Sequence, residues 1–442
     1  MKVPLHLAKE REAAAVGFPA VPAADLKDRL IKEIEDYRGF SRSLAVMLET
    51  CTKCGACAKQ CHSYLGTGDY NNIPAARADL FRRLYKRYFT WAGKAAARFS
   101  GAAEYDAGTL AEWVTYFYQC NECRRCAVFC PFGIDTAEIT IAARHILTRL
   151  GILPRFMAQI AANMAKTGNN MGIPKPALID CCEFMEDEIR EETGVKVQIP
   201  VDKPDADILY VPSSADFFTN ADTMIGVAKL FHALKVDWTI SSTVLEAANF
   251  GLLFNLDVMK DQNRRLREAA AGAKLVVQGE CGHGWRAAKM YTEGAGGPAP
   301  FALVHILDFA ARQLPKLKLN KLPWRVTLHD PCNYARAGDI VAEPRAILRA
   351  CVSQLIEMTP NRERNFCCGG GSGILMDEML PVRVQLGRKK AEQVKELGPL
   401  DYLAAPCSIC KAQLPPVLKH YGLEELKVGG VMDVLGKALI VE

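Results

Sequence analysis

Two stretches of the chain repeat one spacing, C-x2-C-x2-C-x3-C. The first is Cys51, Cys54, Cys57 and Cys61; the second is Cys120, Cys123, Cys126 and Cys130, followed by Pro131. A CxxCxxC turn wraps three thiolates onto one cubane core, and the fourth cysteine ligates the other core. The spacing thus predicts two [4Fe–4S] clusters with crossed ligation. Cys51, Cys54, Cys57 and Cys130 hold one; Cys120, Cys123, Cys126 and Cys61 hold the other. Zinc sites usually come as two CxxC pairs rather than triplets with a fourth cysteine.

Cysteine usage also bounds the compartment. Fourteen of the 17 cysteines in 442 residues lie in CxxC or CC clusters. A secreted disulfide scaffold is shorter and spreads its cysteines through loops. Tight spacing in a long chain reads as metal ligation in a reducing compartment. The opening MKVPLHLAKERE has no apolar signal region and no twin arginine. No apolar run reaches the ~18 residues that span a bilayer. A cytoplasmic or peripheral protein is expected, with any membrane role supplied by a partner. The net charge of +5 is too mild to suggest nucleic-acid binding.

The chain divides by texture. Asp25 to Arg38 predicts an amphipathic helix with Leu26, Leu30, Ile31, Ile34 and Tyr37 on one stripe and Gly39 as its stop. Fifty-eight residues, 62 to 119, separate the two cysteine motifs and read as mostly helical. Residues 171 to 205 carry four prolines and an acidic run and read as a linker. Beyond it, strands at Ile208 to Val211, Trp238 to Ile240, Leu275 to Val277 and Val326 to Leu328 alternate with helices, which implies parallel sheets. The expected fold class is α plus α/β. Residues 1–170 form an α-helical ferredoxin domain, 206–320 a first α/β repeat and 321–442 a second.

The second repeat carries C-x34-CC-x38-CxxC: Cys332, Cys367, Cys368, Cys407 and Cys410. Adjacent cysteines diverge too much to serve one cubane easily, but they can bridge a more open cluster. Gly369, Gly370, Gly371 and Gly373 let backbone N–H groups approach cluster sulfurs. The first repeat places Ser213, Ser241, Ser242 and Gly284 where these ligands stand and keeps only Cys281, in the run Glu280-Cys-Gly-His283-Gly. The distances 242 to 281 and 368 to 407 are both 39, so the two units read as a tandem repeat. Glu280 and His283 are candidate proton donors beside the working site; a retired site kept for packing is the plainer reading. Cys181 and Cys182 lack a partner motif and read as structural. Cys351 reads as core.

TCTKCGACAKQCH (50 to 62), YQCNECRRCAVFCPFGID (118 to 135), HDPCNYAR (329 to 336) and FCCGGGSG (366 to 373) together resemble the heterodisulfide-reductase family, in its D-type subunits and specifically the DsrK and TmcB type. The resemblance covers nearly the whole chain. It implies tandem CCG-type (cysteine-rich) repeats, with a special non-cubane iron–sulfur cluster held by the five C-terminal cysteines. It also implies a protein on the inner face of the cell membrane, bound to a membrane cytochrome b and other subunits of a quinone-linked redox complex of anaerobic sulfur metabolism. A small sulfur-carrier protein with reactive cysteines is a further implied partner. Loss of the first cysteine set departs from relatives with two complete sets and leaves one special cluster. His62 stands where proline is commoner.

Residues 77 to 99 weakly support a membrane partner: seven basic residues against one acidic, interleaved with Leu80, Phe81, Leu84, Tyr85, Phe89 and Trp91. A solvated helix face is the competing reading. Two functions follow. In one, electrons pass to the special cluster, which acts catalytically on a sulfur–sulfur bond. In the other, all three clusters are a relay. An iron–sulfur subunit of a lactate, glycolate or glycerol-3-phosphate dehydrogenase shares the domain plan but requires a flavoprotein partner.

Overall fold

The computed structural model describes residues 2–246 and 249–442. The chain forms two units. Unit 1 comprises Met1–Ala162, Leu253–Leu256 and Phe366–Lys389; unit 2 comprises Asn163–Leu252, Asp257–Asn365 and Lys390–Glu442.

Unit 1 is helical. Pro74–Phe89 starts with proline at its first position, where a missing N–H costs nothing. It packs on Thr109–Phe117 and on Thr136–Arg149. Phe81 and Trp113 sit ring to ring at 4.7 Å, and Trp113 Nε1 donates to the Leu80 carbonyl at 3.1 Å. Thr136–Arg149 is the central helix, with Ile139, Ala142, Ala143, Ile146 and Leu147 fully buried. Asp135 caps it, accepting from the Ala137 N–H at 2.9 Å. The helix predicted to stop at Gly39 runs instead over Leu26–Phe40, because packing of Leu30, Ile34 and Tyr37 outweighs a single glycine.

The basic aromatic stretch is core along one face only. Arg77, Arg82, Leu80, Phe81, Leu84 and Tyr85 are buried. Lys86 and Arg87 are half-buried, and Arg83, Lys94 and Arg98 are exposed with Trp91 and Phe99, which are 84% and 90% exposed.

Segment 366–389 was expected inside the second repeat; it belongs to unit 1. Its helix Leu380–Leu386 packs on His62–Thr67. Gly66 permits this approach, since a Cβ there would overlap the Gln385 carbonyl.

Unit 2 contains two four-stranded parallel sheets among the described residues. Strands β1 (Ile208–Val211), β2 (Trp238–Thr239), β3 (Leu275–Gln278) and β4 (Ala302–His305) run in the order β2-β1-β3-β4. Strands β5 (Leu322–Leu328), β6 (Val352–Ile356), β7 (Tyr402–Ala404) and β8 (Lys427–Gly429) run in the order β6-β5-β7-β8. Relabelled within each sheet, the two orders are identical. Ile208 pairs with Leu275 and Val326 with Tyr402, all strands being parallel. One apolar core spans both sheets and their helices, including Tyr210, Val277, Val326 and Leu435.

Ala221–Ala233 crosses Val431–Ala438 where Gly226 faces Gly436. The stretch 171–205, read as a linker, contains the helix Lys175–Thr193. Leu178, Cys182, Met185 and Ile189 recur at helical spacing and are buried in the unit 2 core, so hydrophobic period outweighs proline and acidic content. Cys182 and Cys351 are core thiols, both pushed up to about 12 by burial; in Cys182 nearby acidic groups add to it.

Candidate metal centres

The two CxxCxxC loops share a backbone path. The second and fourth residues after the first cysteine are left-handed in both: Lys53 (φ 57°) and Gly55 (80°), then Glu122 (48°) and Arg124 (61°). Glycine adopts this conformation freely; for other residues it costs roughly 1–2 kcal/mol each. Three non-glycine residues carry that strain across the two loops, a pattern characteristic of binding loops.

The thiols fall into two neighbourhoods. Burial pushes Cys57 up, and Cys51 and Cys130 add like-charge repulsion. Burial pushes Cys61 up, opposed by Arg77 and reinforced by Cys123 and Cys120. Burial pushes Cys126 well up, reinforced by Cys123, Cys61 and Cys120. Cys61, Cys120, Cys123 and Cys126 also line one pocket with His62 and Arg77. Cys130 thus neighbours Cys51 and Cys57, and Cys61 neighbours Cys120, Cys123 and Cys126. Cys54 is exposed.

Cys57, Cys61 and Cys126, raised by burial, resist ionisation unless positive charge compensates them. A thiolate-loving iron core supplies that charge, so these residues fit a cluster.

Within unit 1 the glycine segment is built into the second loop. Asn121 Nδ2 donates to the Gly371 carbonyl at 2.9 Å. Arg144, fully buried, pairs with Glu122 at 3.2 Å and donates to the carbonyls of Cys120 and Ser372 at 2.9 and 2.8 Å. Arg125 stacks its guanidinium over Phe366 at 3.9 Å. Cys367 accepts from the Gly369 N–H at 3.4 Å. Gly369 is left-handed, and a Cβ there would lie 2.7 Å from the Gly387 nitrogen. Ligand-capable atoms of His62, Cys123 and Cys367 lie within 4.8 Å of one another. Cys368 is buried beside Cys367.

In unit 2, Cys332 follows β5 and opens the short helix Cys332–Ala335; Cys407 follows the neighbouring strand β7 and opens Ser408–His420, whose first turn holds Cys410. Carboxyl ends of parallel strands are where ligands bind in such sheets. The turn after β3 reaches this edge. Gly282 donates its N–H to Cys407 Sγ at 3.4 Å, and a Cβ on Gly282 would lie 3.5 Å from the Asn333 Cβ. Cys281 caps Gly282–Gly296 with its Sγ, which accepts from the Gly284 N–H, while Cys407 holds the N-cap position of its own helix without a side-chain capping bond.

His329, part of the HDPC run but not marked out by cysteine spacing, also lies here. A ring nitrogen and Cys410 Sγ are within 4.8 Å. Next to it, Asp330 is buried yet held below its usual range, because the bidentate Arg345 guanidinium outweighs burial.

Glu280 and His283 stand differently from expectation. The Glu280 carboxylate accepts from the N–H groups of Val431 and Met432, both at 2.9 Å, at the start of Val431–Ala438, and lies 3.5 Å from Lys411. Burial pushes it up to about 8 against the pull of Lys411. Its carboxylate thus serves a helix start rather than an open cleft. His283 is buried in the first turn of Gly282–Gly296.

Comparison with known proteins agrees with this geometry. Residues 47–134 match the 4Fe-4S dicluster domain family and residues 326–415 the Cysteine-rich (CCG) domain family. The Hdr-like menaquinol oxidoreductase iron–sulfur subunit of Archaeoglobus profundus is 32% identical over 466 residues, covering 94% of this chain and 83% of that protein. The chain belongs to this heterodisulfide-reductase-like iron–sulfur family. The corresponding iron–sulfur subunit 2 of Archaeoglobus fulgidus is also 32% identical, covering 94% and 84%. The D subunit of the dihydromethanophenazine:CoB–CoM heterodisulfide reductase of Methanosarcina barkeri is 26% identical, covering 86% and 91%. Membership makes the protein a CCG-domain iron–sulfur protein of that D type. No helix among the described residues is long and apolar enough to cross a membrane.

Proposed function

We propose that this chain is the iron–sulfur subunit of a membrane-bound, quinol-linked redox complex, with its CCG cysteines forming the site of thiol–disulfide chemistry. Two cubanes occupy the N-terminal helical domain, on Cys51, Cys54, Cys57 and Cys130 and on Cys120, Cys123, Cys126 and Cys61. Residues 206–320 are a degenerate CCG-type repeat, which the shared strand order supports. Residues 321–442 are the intact repeat, whose Cys332, Cys367, Cys368, Cys407 and Cys410 hold the non-cubane cluster. The names of the relatives support a quinol as electron source. A membrane cytochrome b anchors the assembly at the inner face of the cell membrane. A heterodisulfide, or a disulfide or trisulfide on a small sulfur-carrier protein in anaerobic sulfur metabolism, is the acceptor.

The observation that carries this reading is the placement of Cys332 and Cys407 just beyond the carboxyl ends of neighbouring parallel strands, with the Gly282 N–H directed at Cys407. Hydrogen bonds to a cluster sulfur ligand raise its potential. Reducing a disulfide takes two electrons and two protons and gives two thiols; the clusters supply the electrons one at a time. The protein's part is to hold the five thiols and exclude water around them.

A pure relay is the second reading, and burial favours it. All five CCG cysteines are 7% exposed or less, whereas a disulfide must reach the site. Titrating the anaerobic, reduced protein with an oxidised thiol substrate separates the two. A new paramagnetic signal that disappears in Cys368→Ala supports the enzyme. No change at any substrate concentration leaves the relay.

A further inference from the structure

His62 sits between two cysteine motifs that the chain keeps far apart. Its Nδ1 lies 3.7 Å from Cys123 Sγ, and its Nε2 lies 2.7 Å from Asn121 Oδ1. The ring is 2% exposed. Cys367 completes a group in which one atom of each residue lies within 4.8 Å of the other two. Asn121, which orients the ring, uses its other side-chain atom to grip the Gly371 carbonyl at 2.9 Å. Imidazole and amide therefore form one polar strut running from the second cysteine loop to the CCGGG segment. The main-chain side is held independently by Arg144, which joins the Cys120 carbonyl to Ser372.

We propose that His62 is a positioning residue that sets the spacing between Cys123 and Cys367, and so between the two metal-binding loops. The proposal rests on the reading of both loops as cluster-binding. It needs no change in the protonation of His62: the planar ring fills the gap, and Asn121 fixes its angle. Buried polar networks of this kind specify one arrangement when every member is satisfied. A proline, whose ring nitrogen is the acylated backbone nitrogen with no hydrogen to donate, could bridge neither partner. Leucine at 62 would fill the volume but leave Asn121 Oδ1 without its partner, so the CCGGG segment loses its orientation.

The test uses the anaerobically purified full chain. Iron per chain and the cluster signals of the wild-type protein decide whether both loops are loaded. The spacing is read separately, from magnetic splitting between the two sites in partly reduced samples. The wild type and His62→Gln, which keeps a hydrogen bond to Asn121, are expected to show that splitting. His62→Leu and Asn121→Ala are expected to keep their iron and lose it. Unchanged splitting in His62→Leu at full iron load overturns the proposal. So does a fully loaded wild type without splitting, or loss of iron from His62→Gln and His62→Leu alike, which makes His62 a ligand.

Discussion

Asn121 Nδ2 donates to the carbonyl oxygen of Gly371 at 2.9 Å, across 250 positions of sequence. Through that bond and its neighbour Arg144, the second cysteine loop and the glycine segment of the CCG motif become parts of one helical unit. Their stability and their metal sites are therefore linked.

Arg144→Met tests the link. The substitution leaves Glu122 buried without its cation and strips donors from the carbonyls of Phe117, Cys120 and Ser372. Breaking a buried pair on one side costs about 3–5 kcal/mol. Thermal unfolding of unit 1 should move sharply to lower temperature, with iron lost in parallel. An unchanged melting curve would show that the pair contributes little.

Crossed ligation makes an asymmetric prediction. Cys61 shares a pocket with Cys120, Cys123 and Cys126. Cys61→Ala should therefore alter the paramagnetic signal of that cluster and spare the one at Cys51, Cys54 and Cys57. Damage confined to the latter would reverse the assignment.

The helix crossing in unit 2 sets two effects against each other. Alanine is a better helix former than glycine by about 1 kcal/mol. At Gly226, however, a Cβ would fall on the Met432 carbonyl. Overpacking against backbone costs about 1–3 kcal/mol. Gly226→Ala should therefore lower the unfolding temperature despite its better propensity; a rise would show that the crossing relaxes freely.

His305 supplies a pH dependence. Burial lowers its pKa from 6.5 to about 3, and its Nε2 lies 2.8 Å from the Tyr334 hydroxyl. The unfolded chain binds this proton more readily than the folded one. The stabilising contribution is complete above pH 6.5 and is lost as pH falls from 6.5 toward 3. Denaturant titrations at stepped pH should show that acid-side decline, and His305→Gln should flatten it. A variant with the same slope would place the titration elsewhere.

The legible parts of this molecule were those set by local chemistry. Cysteine spacing marked the two loops, because a short turn leaves its side chains little freedom. Equal 39-residue distances and alternating strands foretold two sheets of the same design. The illegible parts depended on partners distant in sequence. Nothing local shows that 366–389 leaves its sheet domain for the helical unit. Gly66 and Arg144 decide that, and Arg144 stands 228 positions before the Ser372 it binds. Arg144 itself looks like any charge on an amphipathic helix. The helix at Lys175–Thr193 was legible in its Leu178, Cys182, Met185 and Ile189 period, but prolines and acidic residues masked it. Glu280 read either as a proton donor or as part of a retired site kept for packing, and only the fold reveals the helix start it serves.

The central claim is that thirteen cysteines hold two cubanes and one non-cubane cluster, and metal analysis tests it most directly. Anaerobically purified protein should contain about twelve irons per chain with matching sulfide and little zinc. About eight irons with stoichiometric zinc would contradict it, leaving two cubanes and an ordinary zinc site at the CCG cysteines.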